Sequence, residues 1–155
     1  MIKVEGSFDN QPASLAELKV TAAHEWGHRL VGKARGAIVN ITSVVRSGST
    51  LGYNIIAPNP SRGIKEQFLD SLVSFFGGEA AEEAIGHTDQ RGCGSDIFQA
   101  WRQAELISRF FYNGSVAAGD IISWGRSTAR SIVYDYGINH LKDRALGLME
   151  RQAIV

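Results

Sequence analysis

Two histidines in the segment HEWGH could bind a metal ion, and the glutamate beside them could use that ion for hydrolysis. The segment contains His24, Glu25 and His28. On a helix, residues four apart lie one turn apart on the same face, so both imidazoles could bind one ion at Zn–N distances of about 2.0–2.1 Å. Glu25 lies about 100° around the helix from His24, so we expect it to reach a metal-held water instead of the ion. Such a water is acidified by zinc, and Glu25 could take its proton. The alternative is an ordinary amphipathic helix that carries two histidines.

One helix has to present this motif. Ser14 and Glu17 form a capping-box pattern ahead of LAELKVTAAHEWGHRLVGKARG, where apolar residues recur at helical spacing and Gly36 marks a suitable end. A glycine in the middle of a helix costs about 1 kcal/mol relative to alanine. Gly27 therefore indicates a close approach to the backbone, by another helix or by a substrate.

The rest of the chain predicts a small sheet followed by helices. AIVNITSVV and LGYNIIAP are rich in β-branched or aromatic residues and predict an antiparallel pair of strands. IKEQFLDSLVSFFGGEAAEEAIG predicts a helix interrupted at Gly77–Gly78. After a loop over HTDQRGCG, we expect Ser95 or Asp96 to open the helix DIFQAWRQAELISRFFYNG. A further loop leads to one or two closing helices from Arg126 onward, with a bend at Gly137.

Composition restricts the class of protein. The 155 residues include 44% hydrophobic and 21% charged residues, which is typical of one globular domain. Sixteen basic and sixteen acidic side chains give no net charge, which argues against a nucleic-acid partner. A single cysteine favours a reducing compartment, and no apolar run approaches the roughly 20 residues that cross a bilayer. We therefore expect a soluble cytoplasmic protein without membrane contact.

Two histidines leave zinc under-coordinated, because a catalytic site has three protein ligands and a water. Several later side chains could supply the third ligand: Glu79, Glu82, Glu83, His87, Asp89 and Asp96. Spacing alone does not choose among them. Cys93 is expected to be a small buried or partly exposed side chain, although a thiol near zinc is the alternative. His140 is expected on a helix surface.

Four motifs in order resemble the peptidase domain of the FtsH family, the M41 metallopeptidases. They are HEWGH, GSTLGYNIIAP, GGEAAEEAIG and GCGSDIFQA. The resemblance implies an α+β, mainly α fold: a zincin-like helical domain with a small antiparallel β-sheet inserted after the zinc-binding helix. It implies that His24, His28 and Asp96 bind Zn²⁺ and that Glu25 is the catalytic base. It also implies that Glu82 supports a zinc-bound histidine from outside the ligand set. The alternatives are a helix N-cap for Asp96 and a surface glutamate for Glu82.

The resemblance covers residues 14–112, and we expect the whole chain to be a single metallopeptidase domain. Residues 1–13 would form an N-terminal arm with a brief strand at Ile2–Val4, residues 14–112 the zinc-site core, and residues 113–155 a C-terminal helical part. Trp26 stands where the family usually has alanine. We expect its ring either to narrow a pocket or to fill the core.

These features predict a zinc-dependent endopeptidase that hydrolyses unstructured proteins or peptides. The resemblance implies that the strand in GSTLGYNIIAP is an edge beside the cleft, where an extended peptide can add as another strand. The alternative is an ordinary two-stranded ribbon packed on helices. The sequence contains no G-x-x-x-x-G-K-[ST] loop, so we expect a stand-alone, ATP-independent peptidase. An ATPase partner in trans and a homo-oligomer are further expectations. The alternatives are a zinc-stabilised adaptor without turnover and a regulatory peptidase dedicated to one partner protein.

Overall fold

The structure of the chain, a computed structural model, describes residues 14–46, 51–87 and 93–155. The predicted arm, with its strand at Ile2–Val4, lies outside these residues. Within them the chain forms six helices and three short strands: α1 Leu15–Ala34, β1 Ile38–Ser43, β2 Tyr53–Ala57, α2 Ile64–Phe75, α3 Gly77–Ala84, α4 Gly94–Tyr112, α5 Ala118–Tyr136, α6 Ile138–Arg151 and β3 Ala153–Ile154. The predicted α+β, mainly α class is confirmed. None of the helices described is both long and apolar enough to cross a bilayer.

Helix α1 begins where the capping box predicts. The Ser14 hydroxyl accepts from the Glu17 N–H, and the Glu17 carboxylate accepts from the Ser14 N–H, both at 3.1 Å. The helix ends at Ala34, and Gly36 follows with a φ of +86°, which is in the left-handed region that favours glycine. This turn leads directly into β1. Helix α1 packs against α3, α6 and β1, so it is the central element of the fold.

The sheet has three strands in the order β2-β1-β3. Strand β1 pairs antiparallel with β2, with Ser43 opposite Tyr53, and antiparallel with β3, with Thr42 opposite Ile154. The expectation of two strands was incomplete, because a strand of two residues is too short to show a period-2 pattern. Among the described residues, β2 has a neighbouring strand on its β1 side only, so it forms an edge of the sheet.

Helices α2 and α3 are separated at Phe76, next to the predicted interruption at Gly77–Gly78. Helix α3 lies very close to α1. A Cβ atom at Gly27 would lie 2.2 Å from the Gly77 carbonyl oxygen and 2.6 Å from the Ala81 Cβ. The glycine in the middle of α1 therefore makes room for a helix, which was one of its two expected partners.

Helix α4 begins at Gly94, with Cys93 as its N-cap residue. The expectation that Ser95 or Asp96 would open this helix was wrong, since both lie within its first turn. The N-cap side chain makes no capping hydrogen bond, so no capping pattern in the sequence marks this start. Residues 88–92 of the predicted preceding loop lie outside the described residues.

Helix α5 begins at Ala118, whereas a helix was expected only from Arg126 onward. The segment that was expected to be a loop is helical from Ala118, and its Ile121, Ile122 and Gly125 are buried. A Cβ at Gly125 would lie 3.1 Å from a Leu72 methyl carbon, so glycine lets α5 pack closely on α2. The predicted bend at Gly137 is where α5 ends and α6 begins.

Two hydrophobic clusters hold the elements together. The larger joins α2, α4 and α5 around Leu72, Phe76 and Ile107, and the smaller joins α1 to α6 around Ala22 and Leu148. The ring of Trp26 packs against both clusters and is not among the residues that line the cleft. Of its two expected outcomes, Trp26 therefore fills the core.

Candidate metal centre

The two motif histidines direct their Nε2 atoms toward one another. His24 and His28 are buried on the inner face of α1, and their Nε2 atoms are 3.1 Å apart. The rings meet edge to face, with centroids 4.7 Å apart. The i, i+4 spacing on one helix produces this arrangement, as expected.

Asp96 reaches the same point from α4. Its Oδ2 atom lies 3.0 Å from the Nε2 atom of His24 and 3.0 Å from that of His28. The N-cap alternative for this residue does not apply, because Cys93 is the N-cap and Asp96 is in the first turn. The structure thus brings together the three side chains that the sequence analysis assigned as ligands.

Contacts outside the triad orient both rings. The Glu82 carboxylate lies 2.5 Å from the Nδ1 atom of His24, and the Ser74 carbonyl oxygen lies 2.8 Å from the Nδ1 atom of His28. Acceptors on both Nδ1 atoms keep the proton of each neutral ring there and leave the lone pair on Nε2. A Cβ atom at Gly78 would lie 2.4–2.6 Å from atoms of the His24 ring, so only glycine lets this ring lie against α3.

Three electron-pair donors therefore face one another, at separations of 3.0–3.1 Å. Atoms at the corners of a tetrahedron around zinc, with bonds of about 2.0–2.1 Å, lie about 3.3 Å apart. The triad fits one face of such a tetrahedron and leaves the fourth corner for solvent. A divalent cation would satisfy all three donors at once.

The charges around the triad also favour a cation. Burial disfavours a charged His24 ring, but hydrogen bonds to Asp96, Cys93 and Glu82 outweigh it and raise the pKa of His24 to about 12. Burial likewise acts to raise the pKa of Asp96, but the hydrogen bonds to the two rings hold that pKa well below its usual range. Positive charge is therefore stabilised between these groups, and a bound cation would take the place of the proton that His24 otherwise carries on its Nε2 atom.

Glu25 lies beside the triad without joining it. Among the described residues, two groups of ligand atoms are close enough to share one ion: His24, His28 and Asp96, and His24, Glu82 and Cys93. Glu25 belongs to neither group. The Glu25 Oε1 atom accepts a hydrogen bond of 2.9 Å from the Asn54 side-chain amide of β2. Burial raises the pKa of Glu25, although the nearby rings of His28 and His24 act to lower it. A buried carboxylate of raised pKa is suited to accept a proton near neutral pH.

The triad and Glu25 line a cleft of about 900 Å³. Strand β2 forms one wall through Tyr53, Asn54 and Ile56. A Cβ atom at Gly52 would lie 2.9 Å from the Glu25 Cγ atom, so this glycine lets the chain pass close to Glu25. The edge strand β2 therefore borders the same cleft as the metal-binding triad and Glu25.

The amino-acid sequence that forms this site matches a known protein family. A family model described as peptidase family M41 matches residues 12–118. The chain belongs to peptidase family M41. The family that the four short motifs indicated is thereby confirmed.

Curated relatives that match the chain are named ATP-dependent zinc metalloprotease FtsH. The protein of Cutibacterium acnes is 35% identical over 95 residues, which is 59% of this chain and 13% of the relative. FtsH 4 of Synechocystis is 33% identical over 96 residues, which is 59% of this chain and 15% of the relative. The Mycoplasma mobile protein is 30% identical over 125 residues, which is 77% of this chain and 16% of the relative. The chain thus spans less than a fifth of the length of these relatives.

The other acidic candidates for the third ligand are engaged elsewhere in this M41 domain. Glu79 pairs with Arg126 at 2.7 Å and Glu83 pairs with Arg130 at 2.9 Å, so both contacts join α3 to α5. Asp89 lies outside the described residues.

The two other histidines lie outside the triad. His87 lines the cleft, with its Nε2 atom 3.5 Å from a Glu82 carboxylate oxygen. His140 is exposed on α6, where its ring contacts that of Tyr136, so the expectation of a helix-surface residue is confirmed.

Cys93 is fully buried, which is one of the two outcomes expected for it, but its contacts are more specific than a space-filling side chain requires. Its thiol donates to the Glu82 carboxylate at 3.0 Å, and its sulfur lies 3.8 Å from the His24 Nδ1 atom. Burial raises the pKa of this thiol. The thiol therefore supports the carboxylate that orients His24.

Two groups that hold the site were not predicted from the sequence. Asn54 donates a hydrogen bond to Glu25. The sequence pattern that could have pointed to Asn54 is strand alternation, which places its side chain on the same face of β2 as that of Ile56. Ser74 orients His28 through its backbone carbonyl, which no side-chain pattern can reveal.

Proposed function

We propose that this M41 domain is a zinc-dependent endopeptidase in which His24, His28 and Asp96 hold the ion. One observation carries the proposal: three oriented lone pairs converge 3.0–3.1 Å apart beside a buried carboxylate that is not one of them. A purely structural zinc site would be closed by a fourth protein ligand and would not need Glu25.

Bound zinc supplies a Lewis acid that polarises a carbonyl oxygen and acidifies a coordinated water. Glu25 takes a proton from the attacking water and later donates it to the leaving amine. Glu82 and the Ser74 carbonyl keep the His24 and His28 rings in the orientation and tautomer that binding requires.

The substrates we propose are unstructured segments and peptides. Strand β2 runs along the cleft at the sheet edge, where an extended peptide can form backbone hydrogen bonds as an added strand. Such binding depends on the backbone and tolerates many side chains. Folded proteins would have to be opened first, because their segments are not free to extend.

The chemistry proposed at this site consumes no ATP, since the groups described hydrolyse an amide with water alone. We propose that an ATPase delivers folded substrates and that copies of the chain assemble as a homo-oligomer. The names of the relatives, which include ATP dependence, support the first of these two proposals. We further propose that residues 1–155 act as one metallopeptidase domain.

The test combines metal content with cleavage of fluorescein-labelled β-casein, an unstructured protein. We expect about one zinc per chain, cleavage that stops with a chelator and returns with added zinc, and a Glu25→Gln variant that retains zinc but loses cleavage by at least about a hundredfold. Undiminished cleavage by Glu25→Gln would refute the role of the carboxylate. Zinc binding without any cleavage by the unaltered chain would instead support a non-catalytic adaptor.

A further inference from the structure

Four side chains form a hydrogen-bonded series that ends at Glu25. The Arg29 guanidinium donates to the Thr42 hydroxyl at 3.2 Å, and this hydroxyl donates to the Asn54 Oδ1 atom at 2.5 Å. The Asn54 Nδ2 atom then donates to the Glu25 Oε1 atom and to the Glu25 backbone carbonyl, both at 2.9 Å. The series connects α1 to β1, β1 to β2, and β2 back to α1.

The direction of every hydrogen bond in the series is fixed by chemistry. A guanidinium can only donate, so the Thr42 hydroxyl accepts from Arg29 and has one proton left to donate. The Glu25 carboxylate and backbone carbonyl can only accept, so the Asn54 amide nitrogen faces them and its oxygen faces Thr42, which donates its proton to that oxygen. With the amide reversed, its oxygen would face the carboxylate and repel it. Arg29, by donating to the Thr42 hydroxyl, helps to hold that hydroxyl where it donates to Asn54.

The far end of the series is buried and does not border the cleft. Thr42 is 0% exposed and Arg29 is 7% exposed, and neither lines the cleft. Arg29 is held in turn by the carbonyl oxygens of Ile154 and Val155, at 3.5 and 3.3 Å. Neither Arg29 nor Thr42 lines the cleft, so the hydrogen-bonded route from either residue to Glu25 passes through Asn54.

We infer that Asn54 positions the general base, and that Thr42 and Arg29 position Asn54. This inference rests on the proposed function, in which Glu25 takes the proton of the attacking water. Asn54 also belongs to the edge strand beside the cleft, so the sheet that borders the substrate also orients the base. The three residues are positioning residues, and the base remains Glu25.

The kinetic test uses zinc-loaded protein and fluorescein-labelled β-casein. A misoriented base weakens the transition state but not casein binding, so Asn54→Ala should lower kcat by about tenfold to a hundredfold with KM nearly unchanged. Thr42→Val should lower kcat by about threefold to tenfold, and Thr42→Ser, which keeps the hydroxyl, should restore it. Asn40→Ala is the matched control, because Asn40 is exposed on β1 and should leave kcat unchanged.

A double-mutant cycle separates positioning from general damage. If Thr42 acts through Asn54, then Thr42→Val should change kcat by less than about twofold once Asn54 is alanine. Zinc content should be the same in every variant. Equal effects of Thr42→Val in both backgrounds, or a change confined to KM, would overturn the inference.

A second measurement does not depend on turnover. Nuclear magnetic resonance of ¹⁵N-labelled protein follows the side-chain amide hydrogens of Asn54. They should exchange with solvent at least about tenfold more slowly than those of Asn40, and Thr42→Val should remove this protection. Exchange as fast as that of Asn40 would overturn the inference even if casein is cleaved. Protected Asn54 hydrogens in a chain that cleaves no casein would refute the proposed function alone.

Discussion

Replacing Gly27 by alanine should destabilise the domain, although alanine is the better helix former. Gly27 lies in the middle of α1, where α3 crosses it. The added Cβ would lie 2.2 Å from the Gly77 carbonyl oxygen and 2.6 Å from the Ala81 Cβ, whereas real Cβ atoms essentially never approach within 3.0 Å. Helix α3 would therefore have to move by about 0.8 Å, the difference between 3.0 and 2.2 Å.

The magnitude follows from two opposing effects. The higher helix propensity of alanine favours the variant by about 1 kcal/mol, and overpacking typically costs about 1–3 kcal/mol. Here the overlap is with backbone atoms, which no rotamer change can relieve, so the cost should be at or above the upper end of that range. We expect the free energy of unfolding to fall by about 2 kcal/mol.

Urea denaturation of the metal-free protein, followed by circular dichroism, measures this change. Gly147→Ala in α6 is the matched control, because a Cβ there would meet no heavy atom within 4 Å. The control should be more stable than the unaltered chain by about 0.5–1 kcal/mol, since only the propensity effect remains. If Gly27→Ala is stabilised as much as Gly147→Ala, the close crossing of α1 and α3 is wrong.

Three further predictions concern ion pairs and metal. Arg126→Met should lower the free energy of unfolding by about 3 kcal/mol, because it leaves the buried carboxylate of Glu79 unpaired. Arg130→Met, which removes the more exposed pair with Glu83, should cost less than about 1 kcal/mol in the same urea titration, and equal losses would contradict the burial argument. Glu82→Gln should weaken zinc binding by about 10–100-fold in a competition titration with a chromophoric chelator, and an unchanged affinity would show that its contact with the ligand ring is dispensable. Free zinc at a hundred times its dissociation constant should raise the free energy of unfolding by about 2.7 kcal/mol, which thermal melts with and without chelator would detect.

Local interactions were predictable from the sequence because their partners are neighbours in the chain. The capping box joins Ser14 to Glu17, and the i, i+4 spacing of His24 and His28 aligns their rings once the helix forms. The mid-helix glycine likewise indicated a close contact. Each of these features follows from the geometry of one helix.

Partners distant in sequence could not be derived in this way. Asp96 and Glu82 lie 72 and 58 residues from His24, and the spacing left six candidates for the third ligand open. Only the ordered motifs of the M41 family singled out Asp96. Strand β3 and the early start of α5 were missed because tertiary packing, and not local pattern, decides them.

Two separate sets of contacts hold the side chains of helix α1 that form the site, and they act on different faces of the helix. The rings of His24 and His28 are oriented by groups from α3 and α2, whereas the carboxylate of Glu25 is held by Asn54 of the sheet. Adjacent residues of a helix point about 100° apart, so neighbouring side chains can depend on separate elements. Damage to α3 should therefore weaken zinc binding, while damage to the hydrogen bonds of Asn54 should slow turnover and leave the metal in place.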